Sequence, residues 1–183
     1  MAQRPTWPEL LGAMISYRER LDRLSPDKGQ PYTVPRVKAS EDELVAYEAE
    51  VGESLPPAYR DFLHHADGWP GFYFRADLFG LSELRGGGNF AAARETLRIY
   101  DEQGVLDGLG IAVADIIPIC AGPLDMGSTL FLLGRTGRPY AGQVFWLDGE
   151  VIDRYDDFRE FVLAMLEYLR ADVEKLHHSQ PKN

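Results

Sequence analysis

The chain has one cysteine in 183 residues, Cys120, so it cannot form an internal disulfide framework, and its composition fits a reducing compartment. It also lacks long apolar runs. None approaches the roughly 20 residues needed to cross a bilayer. Glu9 and Arg18 interrupt the N-terminal stretch before it could form a signal-peptide core, so the expected address is cytoplasmic, with no membrane partner. Positive charge is scarce. Against 29 Asp and Glu there are only 19 Lys and Arg, a net charge of −10. A surface this acidic repels nucleic acid and attracts basic partners.

Signs of catalysis are equally sparse. The four histidines form two adjacent pairs, His64-His65 and His177-His178. Neighbours on a helix diverge by about 100°, so a pair does not converge on one ion, and no second His/Cys cluster lies upstream of the tail. Neither a metal nor another cofactor is expected. Gly86-Gly87-Gly88-Asn89 precedes a helical segment but lacks the lysine and hydroxyl of a phosphate loop. Ser128 sits outside any nucleophile-elbow pattern, and Cys120 ends an apolar run with no basic neighbour. The chain reads as a non-enzyme with no catalytic residues.

What is present is a globular composition: 45% of residues are hydrophobic and 11% aromatic, enough for one domain with a substantial core. Trp7, Leu10, Leu11, Met14, Leu21 and Leu24 share one face of a first helix, about Thr6 to Leu24. Together with the polar linker Ser25 to Pro35, it makes residues 1–39 an N-terminal helical arm. The main domain, residues 40–176, opens on a capping box, Ser40 with Glu43, followed by a stripe of Leu44, Tyr47 and Val51 and a stop at Gly52. Pro57 begins a second helix with Tyr59, Phe62, Leu63 and Ala66 inward and Gly68 as its terminator.

Phe72-Tyr73-Phe74 and Leu78 to Leu81 read as aromatic strands or edge segments, and Asn89 to Gln103 as a helix with Ala92, Leu97 and Tyr100 inward. Three apolar runs, Ile116–Cys120, Thr129–Leu133 and Val144–Leu147, read as strands, the last two covered on both faces. Asp148-Gly149 predicts a hairpin returning through Val151 to Tyr155. Phe158, Phe161, Val162, Met165, Leu166, Leu169, Val173 and Leu176 define a closing helix, and residues 177–183 read as a frayed tail. The expected fold class is α+β: helices at the N-terminus, a mostly antiparallel sheet, and a closing C-terminal helix.

Charge is uneven along the chain. Residues 1–39 carry seven Lys and Arg against four Asp and Glu, and the remainder carries twelve against twenty-five. Two stretches concentrate the carboxylates. Glu41, Asp42, Glu43, Glu48, Glu50 and Glu53 occupy thirteen positions without Lys or Arg. Asp148, Glu150, Asp153, Asp156, Asp157 and Glu160 occupy another thirteen with only Arg154 and Arg159. Some of these suit helix N-termini, where anions are favoured. As a group they could steer a basic partner, with Trp69 and Phe72 as candidate aromatic anchors, although Trp69 reads slightly better as core.

The order of features resembles a family. A capped helix ends at Val51-Gly52. Leu55-Pro56-Pro57-Ala58-Tyr59-Arg60-Asp61-Phe62-Leu63 follows, then Asp67-Gly68-Trp69, Ile117-Pro118-Ile119 and the helix Phe158 to Leu169. This is similar to the SUKH superfamily (the Smi/Knr-type domain) over roughly Ser40 to Leu176. The chain departs from the family's Gly-Asp before the following strand, carrying Asp125-Met126-Gly127-Ser128 there. Many bacterial members of that family are immunity proteins that bind and block secreted toxins, often nucleases. Fungal members regulate cell-wall synthesis through protein contacts. The resemblance therefore implies a cytosolic immunity protein whose partner is a cognate, basic protein toxin. The alternative is an intracellular protein-binding scaffold or regulator without a toxin partner. The expected partner-binding residues are Glu41, Asp42, Glu48, Glu50, Glu53, Trp69, Asp148, Glu150, Asp153, Asp156 and Asp157.

Overall fold

A computed structural model describes residues 4–25 and 32–179. Most of the linker Ser25 to Pro35 and the last four residues of the tail lie outside that range. Three helices come first: α1 (Trp7–Leu24), α2 (Glu41–Val51) and α3 (Pro57–Leu63). Strands β1 (Trp69–Tyr73) and β2 (Ala76–Leu78) follow, then the short α4 (Leu81–Leu84) and α5 (Phe90–Glu102). Strands β3 (Ile116–Ala121), β4 (Leu130–Gly134), β5 (Val144–Leu147) and β6 (Val151–Tyr155) lead into α6 (Phe158–Ser179). The six strands lie in sequence order and every pairing is antiparallel, so the class is α+β.

Local chemistry sets the boundaries. At α2 the Ser40 hydroxyl accepts from the Glu43 N–H at 3.3 Å, while the Glu43 carboxylate accepts from the Ser40 N–H at 2.8 Å. This reciprocal cap satisfies two donors that the helix cannot use. Thr6 and Glu9 make the same arrangement at α1, with the Thr6 N–H donating to Glu9 at 2.7 Å. Gly52 ends α2 in the left-handed region, φ 70°. Asp157 accepts from the Glu160 N–H at 2.9 Å at the start of α6.

All residues of β3, β4 and β5 are buried, so both faces of the sheet's centre are covered. α6 lies over one face, where Phe161 meets Phe131 with ring centroids 5.1 Å apart. α5 packs on β3 and β4 from the other face. α1 runs against α6 and enters the same core: Trp7 touches Phe62 and Phe158, at 5.5 and 6.1 Å between rings. Its far end is pinned by Arg18, buried beneath β1, which donates to the carbonyls of Phe72 at 2.7 Å and Gly71 at 2.6 Å. Burial pulls the Arg18 guanidinium down to about 10, against a small upward push from Tyr32. The Trp69 ring lies 5.4 Å from the guanidinium.

Several local expectations need correction. Val51 is 46% exposed, because only Leu44 and Tyr47 of α2 reach the core. α3 stops at Leu63, five residues before Gly68. Gly68 instead makes the turn into β1 at φ 82°, where a Cβ would lie 2.6 Å from the Gly80 nitrogen. Phe74 belongs to the β1–β2 turn, and Leu81 opens α4 where a strand was expected. In α5 the fully inward alanine is Ala93, with Ala92 half-buried. α6 continues through His177 and His178.

Candidate functional site

The first acidic stretch is knitted into the protein. Arg60 of α3 donates to Glu41 at 2.7 Å and to Glu48 at 3.1 Å. Arg85 reaches Glu50 at 2.9 Å and Arg135 reaches Glu53 at 2.8 Å. Glu48 also accepts from the Leu55 N–H at 2.9 Å. The hydrogen bonds from Arg60 hold the Glu41 carboxyl below its usual range. Asp42 is exposed on the first turn of α2. Four of these carboxylates, Glu41, Glu48, Glu50 and Glu53, tie the α2 segment to α3 and to the ends of α4 and β4 through three arginines.

The second stretch is different. Asp148 and Glu150 stand exposed at the β5–β6 hairpin, where Asp148 accepts from the Ser128 hydroxyl at 2.6 Å. Asp156 is exposed, and Asp157 caps α6. Neither arginine of the stretch neutralises them. Arg154 turns to Gln143 at 2.8 Å and lies over Tyr140 and Phe145, both at 5.3 Å. Arg159 turns to the Pro5 carbonyl at 2.7 Å and lies 4.2 Å over Trp7. Glu160 pairs with Arg4 at 3.0 Å.

Beside this hairpin lies an aromatic groove of about 270 Å³. Its walls are Met14 of α1, Phe72, Tyr73 and Phe74 of the first hairpin, Trp146 of β5, and Met165, Tyr168, Leu169 and Asp172 of α6. Sheet register sets Phe131, Trp146 and Asp153 in one row, so Asp153 shares the face of Trp146. Phe74 is 50% exposed and Tyr168 44%. Phe74 sits at φ 51°, a left-handed conformation that costs a bulky residue energy. Trp146 is only 8% exposed, and its indole N–H has no hydrogen-bond acceptor among the described residues. Burial pushes the Tyr73 phenol up to about 12, with the negative charges of Asp148 and Asp172 adding to it. Burial likewise raises the Tyr155 phenol, aided by Asp153. A separate shallow depression is lined by Tyr155, Asp156, Asp157, Glu160 and Glu167 together with Arg4 and Arg154.

The expected aromatic anchors are not at the surface. Trp69 is fully buried, with its ring N–H donating to Thr33 at 3.1 Å, and Phe72 is buried against Phe161. Both serve the core, which corrects the expectation for Trp69. The exposed rings nearby, Phe74 and Tyr168, were missed by sequence reasoning. Tyr168 falls just off the inner stripe of α6, which is the one signal that could have found it.

His64 faces Glu41 at 2.8 Å, and His65 approaches the Asp61 carbonyl at 2.9 Å, so the two rings point to different neighbours. Among the described residues no three His, Cys, Asp or Glu side chains gather as a metal site. Cys120 is buried in β3, and burial raises its thiol well above the ordinary value. No helix among the described residues is long and apolar enough to cross a membrane.

A model of the SMI1 / KNR4 family (SUKH-1) matches residues 38–164, from just before α2 into the first turns of α6. No curated protein matches the chain. α1 and the last part of α6 lie outside the matched span, although both pack in the same molecule. The family includes toxin immunity proteins and is generally non-catalytic. With well over half of its residues matched, the chain belongs to the SMI1 / KNR4 family (SUKH-1).

Proposed function

We propose that this protein acts by binding, in the cytosol, and neutralises a basic protein toxin. The contact face is the aromatic groove with the adjoining acidic hairpin. The observation that carries the reading is the pairing of exposed aromatic rings with carboxylates that no neighbouring arginine offsets. Family membership supports the general kind of activity. Exposed rings supply contact area, and the carboxylates steer a basic partner into register. A nuclease, whose substrate groove is basic, is a suitable target, because such a face would occupy the place of phosphates.

The paired carboxylates of α2 contribute less, since an arginine already occupies most of them. Asp157 is a poor probe because its loss also removes the α6 cap. The test is co-expression with the product of the adjacent gene, using wild type and a Glu150→Lys/Asp156→Lys variant. Survival with wild type and killing with a folded variant is the expected result. A product that is harmless alone, or that kills in the presence of wild type, overturns the proposal.

A further inference from the structure

We infer that the aromatic groove is a receptor for a single lysine side chain of the partner, held by its ammonium group between the rings and Asp172. This inference rests on the binding reading above and names the chemistry of the contact. Three successive ring pairs meet nearly at right angles. Tyr73 and Phe74 are 4.8 Å apart at 85°, Tyr73 and Trp146 are 5.2 Å apart at 74°, and Trp146 and Tyr168 are 5.8 Å apart at 76°. A flat guanidinium stacks best on one parallel ring, whereas rings set at right angles surround a compact, round cation from several sides. The charge is complementary: Asp172 lines the groove, and Asp148 is close enough to act on Tyr73. Met14, Met165 and Leu169 provide apolar wall for the four-carbon stem. Among the described residues Asp172 has an exposed contact with Lys175 at 3.8 Å, which an incoming ammonium can displace at little cost. The strained backbone at Phe74 keeps one ring of the box exposed at the rim.

The test uses three capped tripeptides, Gly-Lys-Gly and its norleucine and arginine counterparts, titrated into the isotope-labelled protein and followed by NMR. The lysine peptide should shift the Trp146 indole signal and the amides of Phe74 and Tyr168, with roughly millimolar affinity. The norleucine peptide should bind at least tenfold more weakly. Phe74→Gly, which removes a ring while relieving backbone strain, and Asp172→Asn should each weaken the lysine peptide roughly two- to thirtyfold. Equal binding of norleucine, tighter binding of arginine, or shifts confined to other surfaces overturns the inference. A toxin neutralised equally well by wild type and both variants also overturns it while leaving the toxin reading intact. Lysine binding in a protein that protects against no toxin refutes only the toxin reading.

Discussion

Replacing Trp7 with alanine removes the side chain that seats α1 in the core, although the matched family span begins 31 residues later. The ring is 2% exposed, edge-on to Phe62 at 5.5 Å, beside Phe158 at 6.1 Å, and covered by Arg159 at 4.2 Å. Its N–H also donates to Asp61 at 2.6 Å. Deleting a buried Trp to Ala costs about 3–5 kcal/mol, from lost transfer energy and the cavity left behind. The lost hydrogen bond adds little, because water can reach the half-exposed Asp61 carboxylate. A loss of about 4 kcal/mol is a large share of the roughly 5–15 kcal/mol that holds an ordinary domain together. With a urea slope of about 2 kcal/mol/M, the unfolding midpoint should fall by about 2 M. Fluorescence of Trp69 and Trp146 reports the transition, since both are buried in the folded protein. A midpoint shift under about 0.5 M would refute the claim that α1 shares the core and would make it a dispensable arm.

Two further outcomes follow from particular residues. Phe74→Gly should raise the thermal midpoint, because release of left-handed strain, about 1–3 kcal/mol, exceeds the entropic cost of glycine, about 0.5–1 kcal/mol; a lower midpoint in a thermal scan would show that the ring, not the strain, dominates. Burial opposes ionisation of Glu83, but hydrogen bonds from Arg36 at 2.7 Å and the Gly80 N–H at 2.9 Å outweigh it and lower its pKa. A carboxyl depressed in the folded state stabilises above its unfolded pKa and loses that contribution as pH falls through the folded one. Stability should therefore decline as the pH drops below about 4.3, and Glu83→Gln should flatten that decline in denaturation series, where an unchanged slope would count against the pair.

What could be read from the sequence was what local chemistry decides. The Ser40–Glu43 cap spans three residues, Pro57 can occupy only a first turn, and Asp148-Gly149 forces a tight reversal, so α2, the start of α3 and the last hairpin lie where expected. The strands β3 to β5 announced themselves by unbroken apolar runs. The site was less legible because its determinants are distant in sequence. The carboxylates of α2 looked unopposed, yet Arg60 and Arg135 arrive from 19 and 82 residues away. Trp69 could be read as an anchor or, slightly better, as core, and the docking of α1 and Thr33 over it accounts for its burial. The groove draws on α1, the first hairpin, β5 and α6 together, and no window of sequence contains it.

Hydrogen exchange of the protein alone and in complex with the proposed toxin measures the central claim most directly. Slowed exchange should concentrate at residues 72–76, at 148–155 and around Tyr168 in α6. Protection confined to α2 or α5, with the groove and hairpin exchanging as in the free protein, would contradict it.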